Sequence, residues 1–139
     1  MLAEMTRTDA VPAVVSKIVP EAADARLIRL ELPEGTKLDW RPGQFVEVEL
    51  PGSGIPSKAY SIANPPQDGT AIEILFERRG ALSERLTLLN GGETLLLRGP
   101  LGKWAYRDED RHAALICAGT GIAPMRAIVR YVLEKGLPN

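Results

Sequence analysis

The chain reads as mainly β: a six-stranded antiparallel Greek-key barrel with one short helix, followed by an α/β segment of strand, glycine loop and helix. Three observations carry that expectation. From Val11 to Arg98, short alternating or β-branched runs recur between proline and glycine turns. Within that region residues 80–89 switch to helical spacing. Beyond residue 112 the pattern changes for good, to a continuous apolar run, a glycine-rich turn and an amphipathic stretch.

The elements follow in order. Residues 11–20 are β-branched and bounded by prolines, and make the first strand. In residues 25–32, Leu27, Arg29 and Glu31 oppose Ile28, Leu30 and Leu32, so the wholly apolar second set marks the core-facing side. Pro33-Glu-Gly35 and Arg41-Pro-Gly43 are turns, and residues 44–50 alternate through Phe45, Val46, Glu47, Val48 and Glu49. Pro51-Gly-Ser-Gly54 ends that strand. The next run, Lys58-Ala-Tyr-Ser-Ile-Ala-Asn64, is closed by Pro65 and Pro66, neither of which can donate to a ladder. Residues 71–76 form the fifth strand, with Ile72, Ile74 and Phe76 on one side.

In residues 80–89, Leu82, Leu86 and Leu89 stand four and three apart, Ser83 lies in the first turn, and Asn90-Gly-Gly92 ends the helix. Residues 93–98 are the sixth strand, and Gly99-Pro-Leu-Gly102 follows it. Residues 103–112 read as a polar linker. Its trio Asp108-Glu-Asp110 is a solvated run rather than a metal site, because adjacent residues cannot all face one ion. Residues 113–118 have the continuous apolar character of a buried parallel strand, which would make Cys117 a packed, inert thiol. A helix is expected over residues 124–134, with Pro124 at its first position and Met125, Ile128, Val129 and Val132 on its apolar face.

Bulk properties exclude several classes. The chain has 139 residues, 45% hydrophobic and 25% charged, the balance of an ordinary globular protein. A net charge of -1 gives no electrostatic case for nucleic acid or anionic membrane. No apolar run approaches the roughly 18 residues of a spanning helix. Residues 1–10 read as an N-terminal tail without the apolar core of a secretory signal. A single cysteine allows no internal disulfide or cysteine-ligated cluster, so no metal is expected and the cytoplasm is the expected compartment.

Two stretches carry chemistry. Alternation on the central strand places Lys58, Tyr60 and Ile62 on one face and Ala59, Ser61 and Ala63 on the other. The run offers a charge for phosphate, a flat ring for stacking and a hydroxyl, which are the parts a flavin needs. A packed tyrosine beside a solvated lysine fits the same residues. Further on, strand, glycine turn and helix N-terminus over residues 113–124 form the anion-binding end of a nucleotide fold. A tight turn without a ligand fits those residues equally. Trp40 and Trp104 read as core or rim packing, His112 has no neighbour that makes it a base, and Arg78 or Arg79 is either a phosphate contact or a solvated edge.

Five blocks now stand in order: Arg41-Pro-Gly-Gln-Phe45, Lys58-Ala-Tyr-Ser61, Gly80-Ala-Leu-Ser83, Gly99-Pro-Leu-Gly102 and Gly119-Thr-Gly-Ile-Ala-Pro124. Through them the chain resembles the ferredoxin–NADP reductase superfamily. The likeness covers an FAD-binding barrel over residues 11–102, a linker over 103–112, and a truncated start of the NAD(P)-binding domain over 113–139. It implies that Tyr60 stacks on the isoalloxazine and that Ser61 lies beside its reactive nitrogen. Ile62 and Ala63 would offer backbone groups to the ring or ribityl chain. Lys58 would meet the pyrophosphate with the helix start formed by Gly80, Leu82 and Ser83. Gly119, Thr120, Gly121, Ile122, Ala123 and Pro124 would receive the phosphates of NADH or NADPH. The family usually has arginine where this chain has Lys58, a point charge without the bidentate fork.

The function implied is electron transfer from NAD(P)H through FAD to an acceptor protein or small oxidant. The alternative is a non-catalytic flavin-binding subunit, or a degenerate fragment, that needs a second chain for nucleotide binding. A parallel strand covered by one helix keeps a face and both edges open. Self-association, docking of this segment onto the barrel, or a partner chain is therefore expected.

Overall fold

The computed structural model describes residues 10–138, so all but the last residue of the expected N-terminal tail lies outside it. Six strands form in the expected places: β1 (Val11–Pro20), β2 (Ala25–Glu31), β3 (Phe45–Glu49), β4 (Lys58–Ser61), β5 (Ala71–Glu77) and β6 (Thr94–Leu101). Helix α1 (Ala81–Leu86) lies between β5 and β6, and helix α2 (Ile122–Lys135) follows a single 3₁₀ turn at Gly119–Gly121. Every strand pairing is antiparallel, in the order β4-β3-β6-β1-β2-β5. The chain crosses over between β2 and β3 and again between β5 and β6, as a Greek key requires.

The barrel closes past the end of β4. Ile62 bridges Ile74 of β5, and the Ala63 N–H donates to the Glu73 carbonyl at 2.8 Å. The core follows from alternation. Ile28 and Leu30 of β2, Val46 and Val48 of β3, Ile72, Ile74 and Phe76 of β5, and Leu95 and Leu97 of β6 interlock inside, with Leu82 and Leu86 of α1 capping one end. Each such side chain contributes about 1.5–3 kcal/mol on burial. Trp40 is also in this core, 1% exposed, and its indole N–H donates to the Asn64 carbonyl at 3.1 Å.

Several local expectations change. α1 stops at Leu86, because the Thr87 hydroxyl takes the Glu84 carbonyl at 2.6 Å and the following residues tighten into turns; Leu88 is left in solvent. β6 runs on through the glycine and proline expected to follow it, since Leu101 still pairs with Phe45. α2 begins two residues early, so Pro124 is its third residue; it remains in the first turn, where a missing N–H costs no helical bond.

The larger correction is residues 113–118, which are exposed and form no strand. A strand exists only where its N–H and C=O groups find partners, and no described segment lies alongside to supply them. Cys117 is consequently exposed rather than packed. Of the open outcomes, docking of the following helix onto the barrel is the one seen within the chain. Ala123 of α2 is buried against Leu27 and Ala63 on the outside of the barrel, and Ile128 and Val132 bury Tyr106 of the linker. The buried stripe is Ala123, Ala127, Ile128 and Val132, so Val129, expected inside, is 45% exposed. Nor is the linker merely solvated: Asp108 accepts from the Tyr131 hydroxyl and from the Lys135 ammonium of α2.

Arg29 grips Asp68 with both arms, at 2.6 and 3.0 Å, and holds its carboxyl below the usual carboxylate range. A depressed folded-state value stabilises the fold above the unfolded pKa, near 3.9, and that contribution is lost as pH falls through the lower folded value. Asp68→Asn is expected to cost up to about 1 kcal/mol at neutral pH and to flatten the acid limb of Tm against pH. Parallel acid limbs for parent and variant would refute this.

Candidate functional site

β4 is where the chemistry gathers, and its register explains what each residue can do. Tyr60 pairs with Val46 and Lys58 with Val48, both fully buried, so these two share the inward face with Ile62. Ser61, opposite Phe45, and Ala63 point the other way. Ladder pairing therefore sends the ring of Tyr60 and the hydroxyl of Ser61 to opposite sides of the strand. Because β5 forms its β-bridge to this segment at Ile62, past the end of β4, the ladder edge of Lys58–Ser61 away from β3 has no strand partner among the described residues, and a ligand lying on that edge borders both faces.

Tyr60 is half-buried. Its ring meets Phe76 edge-on, with centroids 6.2 Å apart and planes at 67°. Burial pushes its phenol above the ordinary value, so it is neutral at physiological pH and offers an aromatic surface rather than a base. Lys58 is exposed, and none of the ion pairs among the described residues involves it. Its ammonium lies 3.2 Å from where a Cβ on Gly80 would be. Gly80 sits at φ 88° and ψ 172°, a conformation open almost solely to glycine. The bare backbone thus lets an unpaired cation approach the first turn of α1, whose initial N–H groups have no helical acceptor. Lys58 and Gly80, 22 residues apart in sequence, are brought together as an anion site needs.

Other expected contacts are already committed elsewhere. The Ser83 hydroxyl is buried, accepting from the Arg79 N–H at 2.7 Å and donating to the Gly80 carbonyl at 3.1 Å. It shapes the turn, leaving only its backbone for a ligand, and Leu82 packs wholly in the core. The Ile62 N–H donates to the Gln44 carbonyl at 3.0 Å, extending the pairing with β3, and the Ala63 N–H donates to the Glu73 carbonyl, closing the barrel, so both N–H groups are engaged. The Ala63 carbonyl accepts from Arg126 at 2.7 Å. Arg78 pairs with Asp24 at 3.0 Å and Arg79 with Glu77 at 3.3 Å, both near the surface.

Four residues with no expected role line the turns and loops around this strand. Asn64 is fully buried; its amide donates to the Ala71 carbonyl at 2.8 Å and accepts from the Glu73 N–H at 2.8 Å. Gln44 accepts the Arg41 N–H at 2.8 Å and donates to the Gly102 carbonyl at 2.9 Å, stitching the turn before β3 to the end of β6. Gly43 lies beneath Trp104, where a Cβ would sit 2.6 Å from the indole ring. Trp104 itself is 58% exposed, forming a rim rather than core. The proline and glycine bounds around these residues were a local signal; their partners were not.

The glycine turn lies apart from Tyr60, against the end of β5. A Cβ on Gly119 would be 3.5 Å from the Glu77 carboxylate, which opposes an anion there. Thr120 is half-buried, and Gly121 and Ile122 are exposed at the head of the 14-residue α2. Pro124 is half-buried behind them and Ala123 packs onto the barrel, so the front of the turn faces solvent while its back is anchored. Among the described residues no group of His, Cys, Asp and Glu side chains could hold a metal ion, and no helix is long and apolar enough to cross a membrane.

Comparison with known proteins follows the same outline. A family model described as an oxidoreductase FAD-binding domain matches residues 12–106. The ferredoxin–NAD(+) reductase component of an alkene monooxygenase system from Xanthobacter autotrophicus is 35% identical over 85% of this chain and 37% of its own. Reductase component 1 of a terephthalate 1,2-dioxygenase from Comamonas is 32% identical, over 82% of this chain and 34% of its own. The chain therefore spans about a third of the length of these curated relatives. Among solved structures, the cytochrome P450 reductase GcoB of Amycolatopsis superposes with a TM-score of 0.78 at 31% identity, covering 91% of this chain and 39% of that one.

Gly80→Ala puts a side chain into a conformation costing about 1–3 kcal/mol and displaces the Lys58 ammonium. Urea unfolding is expected to show that loss, whereas Ala81→Gly, at the exposed first helical position, costs about 1 kcal/mol or less. A Gly80→Ala chain as stable as the parent would contradict the geometry.

Proposed function

The chain belongs to the oxidoreductase FAD-binding domain family, which makes FAD its cofactor, and from that premise we propose that it is the flavin module of an NAD(P)H-dependent reductase serving an electron-acceptor protein or small oxidant. The observation that carries the reading is the convergence of an unpaired Lys58 ammonium, the bare backbone of Gly80 and the half-buried ring of Tyr60 on one open strand edge. These residues fit the group. Lys58 with the first turn of α1 receives phosphate charge, Tyr60 offers a flat neutral surface, and Ser61 presents a hydroxyl at the same edge.

Bound FAD supplies the exchange between two-electron and one-electron chemistry. The chain's own part is to bind and orient. Tyr60, kept neutral by burial, fixes the plane of the ring without taking a proton. Lys58 neutralises phosphate as a point charge, so its contribution is salt-sensitive. The closure at Ile62, Ala63 and Asn64 keeps the strand from shifting, since its hydrogen bonds run to both neighbouring elements. On this reading residues 119–124 form the nucleotide phosphate turn, with the carboxylate of Glu77 reducing its anion affinity. The similar proteins are named as reductase components of oxygenase systems, which supports an acceptor protein as partner. Cytoplasmic residence belongs to the same proposal and rests on the composition with its single cysteine.

A second reading, a flavin-binding subunit completed by another chain, is favoured by one observation. Residues 113–118 present their backbone and apolar side chains to solvent, with Ile116 88% exposed. Stopped-flow mixing of the FAD-loaded chain with NADH or NADPH separates the two. Fast, saturable flavin reduction supports a self-sufficient reductase module; slow, non-saturating reduction supports the completed-subunit reading.

Titration of the flavin-free chain with FAD and with FMN, followed by flavin fluorescence, tests the site. FAD is expected to bind more tightly. Tyr60→Ala is expected to lose the stacking contribution of about 0.5–1.5 kcal/mol, and Lys58→Ala to weaken binding more at low salt than at high. Equal affinity for the two flavins, or unchanged binding in both variants, would overturn the assignment of β4.

A further inference from the structure

We propose that Arg126 of α2 is a positioning residue for the flavin strand, holding the backbone that carries Tyr60 and Ser61 through its bond to the Ala63 carbonyl and its anchor on Glu73. The proposal rests on the flavin reading above. One nitrogen of the guanidinium, Nη1, lies 2.7 Å from the Ala63 oxygen and 2.6 Å from Glu73 Oε2. Ala63 stands two residues beyond Ser61, and its N–H is already bonded to the Glu73 carbonyl. Both backbone polar groups of Ala63 are therefore tied, its N–H to β5 and its carbonyl to α2.

The surrounding charges show why Arg126 is singled out. Glu73, its side chain 10% exposed, is faced by three guanidiniums: Arg126, Arg29 at 3.4 Å and Arg130 at 3.6 Å. Arg29 has its main partner in Asp68, gripped bidentately, and Arg130 has its own in Glu134 at 3.1 Å. Among the described residues Arg126 pairs with no carboxylate but Glu73, and it completes its bonding on a main-chain carbonyl. A buried carboxylate is costly unless matched, and apolar docking of Ala123 on Leu27 and Ala63 needs no carboxylate at all. The cluster thus does something packing does not: it sets the position of one peptide group at the end of the cofactor strand. Because α2 starts directly after the turn at Gly119–Gly121, the same residue couples the nucleotide-side segment to the flavin side.

The test uses the full chain as parent, Arg126→Met, Arg126→Lys and Glu73→Gln. Amide exchange without flavin is expected to accelerate at Ala63 in Arg126→Met while Ile28 and Leu30 keep the parent's protection. FAD titration is expected to show about tenfold weaker binding, the size of a lost charge-assisted hydrogen bond. The visible circular dichroism of the bound flavin is expected to change, with partial recovery in Arg126→Lys and a smaller shift of the same sign in Glu73→Gln. A lower Tm with parent-like affinity and dichroism would make Arg126 structural only and overturn the proposal. If Arg126→Met fails to fold, Arg126→Lys and Glu73→Gln decide it by the same two readouts, and parent-like values in both overturn it. If the parent binds no FAD, the flavin reading falls and this proposal with it. Accelerated exchange at Ala63 would then show the mechanical link alone, which tells the two failures apart.

Discussion

Closure of the barrel over three residues, Ile62, Ala63 and Asn64, is the constraint on which the rest of the structure depends. β4 lies at one end of the sheet order and β5 at the other, and the backbone bridge between the two ends forms here. A buried amide does most of the joining. Asn64 satisfies the Ala71 carbonyl and the Glu73 N–H, and its own carbonyl accepts from the Trp40 indole. Inside a low-dielectric core such a satisfied network specifies one arrangement, because any slip leaves polar groups unpaired. With the closure placed beyond Ser61, the preceding four residues keep a free edge. That edge is the candidate site.

Charge is distributed around this closure with opposite effects on its two sides. Toward α1 a cation stands unpaired beside bare backbone, an arrangement that stabilises an incoming anion. Toward α2 the cations are matched: Glu73, Asp68 and Glu134 take up Arg29, Arg126 and Arg130. On the proposed reading the matched side is the clamp and the unmatched side the receptor. The glycine turn at the head of α2 is intermediate, since Glu77 lies against it and Arg79 pairs with that same carboxylate.

Much of this was legible in the chain. Alternation in residues 25–32 and 44–50 named the core faces that β2 and β3 bury, and the leucine spacing of residues 80–89 located α1 to within one turn of its end. The clustering of Lys58, Tyr60 and Ser61 on one short strand was visible too. Less legible was what the backbone around them had already spent. The Ile62 and Ala63 amides and the Ser83 hydroxyl look available in a sequence and are engaged in the fold. The apolar run at residues 113–118 has the composition of a buried strand, but composition cannot supply a neighbouring strand to bond with.

What the sequence by itself determined is therefore local: strand periodicity, turn positions, the one amphipathic helix of length, and the types of residue at the open edge. These depend on φ/ψ preference and side-chain alternation, which act over a few residues. Only the tertiary structure decided where the barrel closes, which polar groups remain free, and that α2 lies on the outside of β2 and β5. Those outcomes rest on partners far apart in the chain, such as Arg126 with Ala63 at a separation of 63 residues and Trp40 with Asn64 at 24. A hydrogen bond of that kind is specified by where two segments pack, and no short stretch of sequence records it.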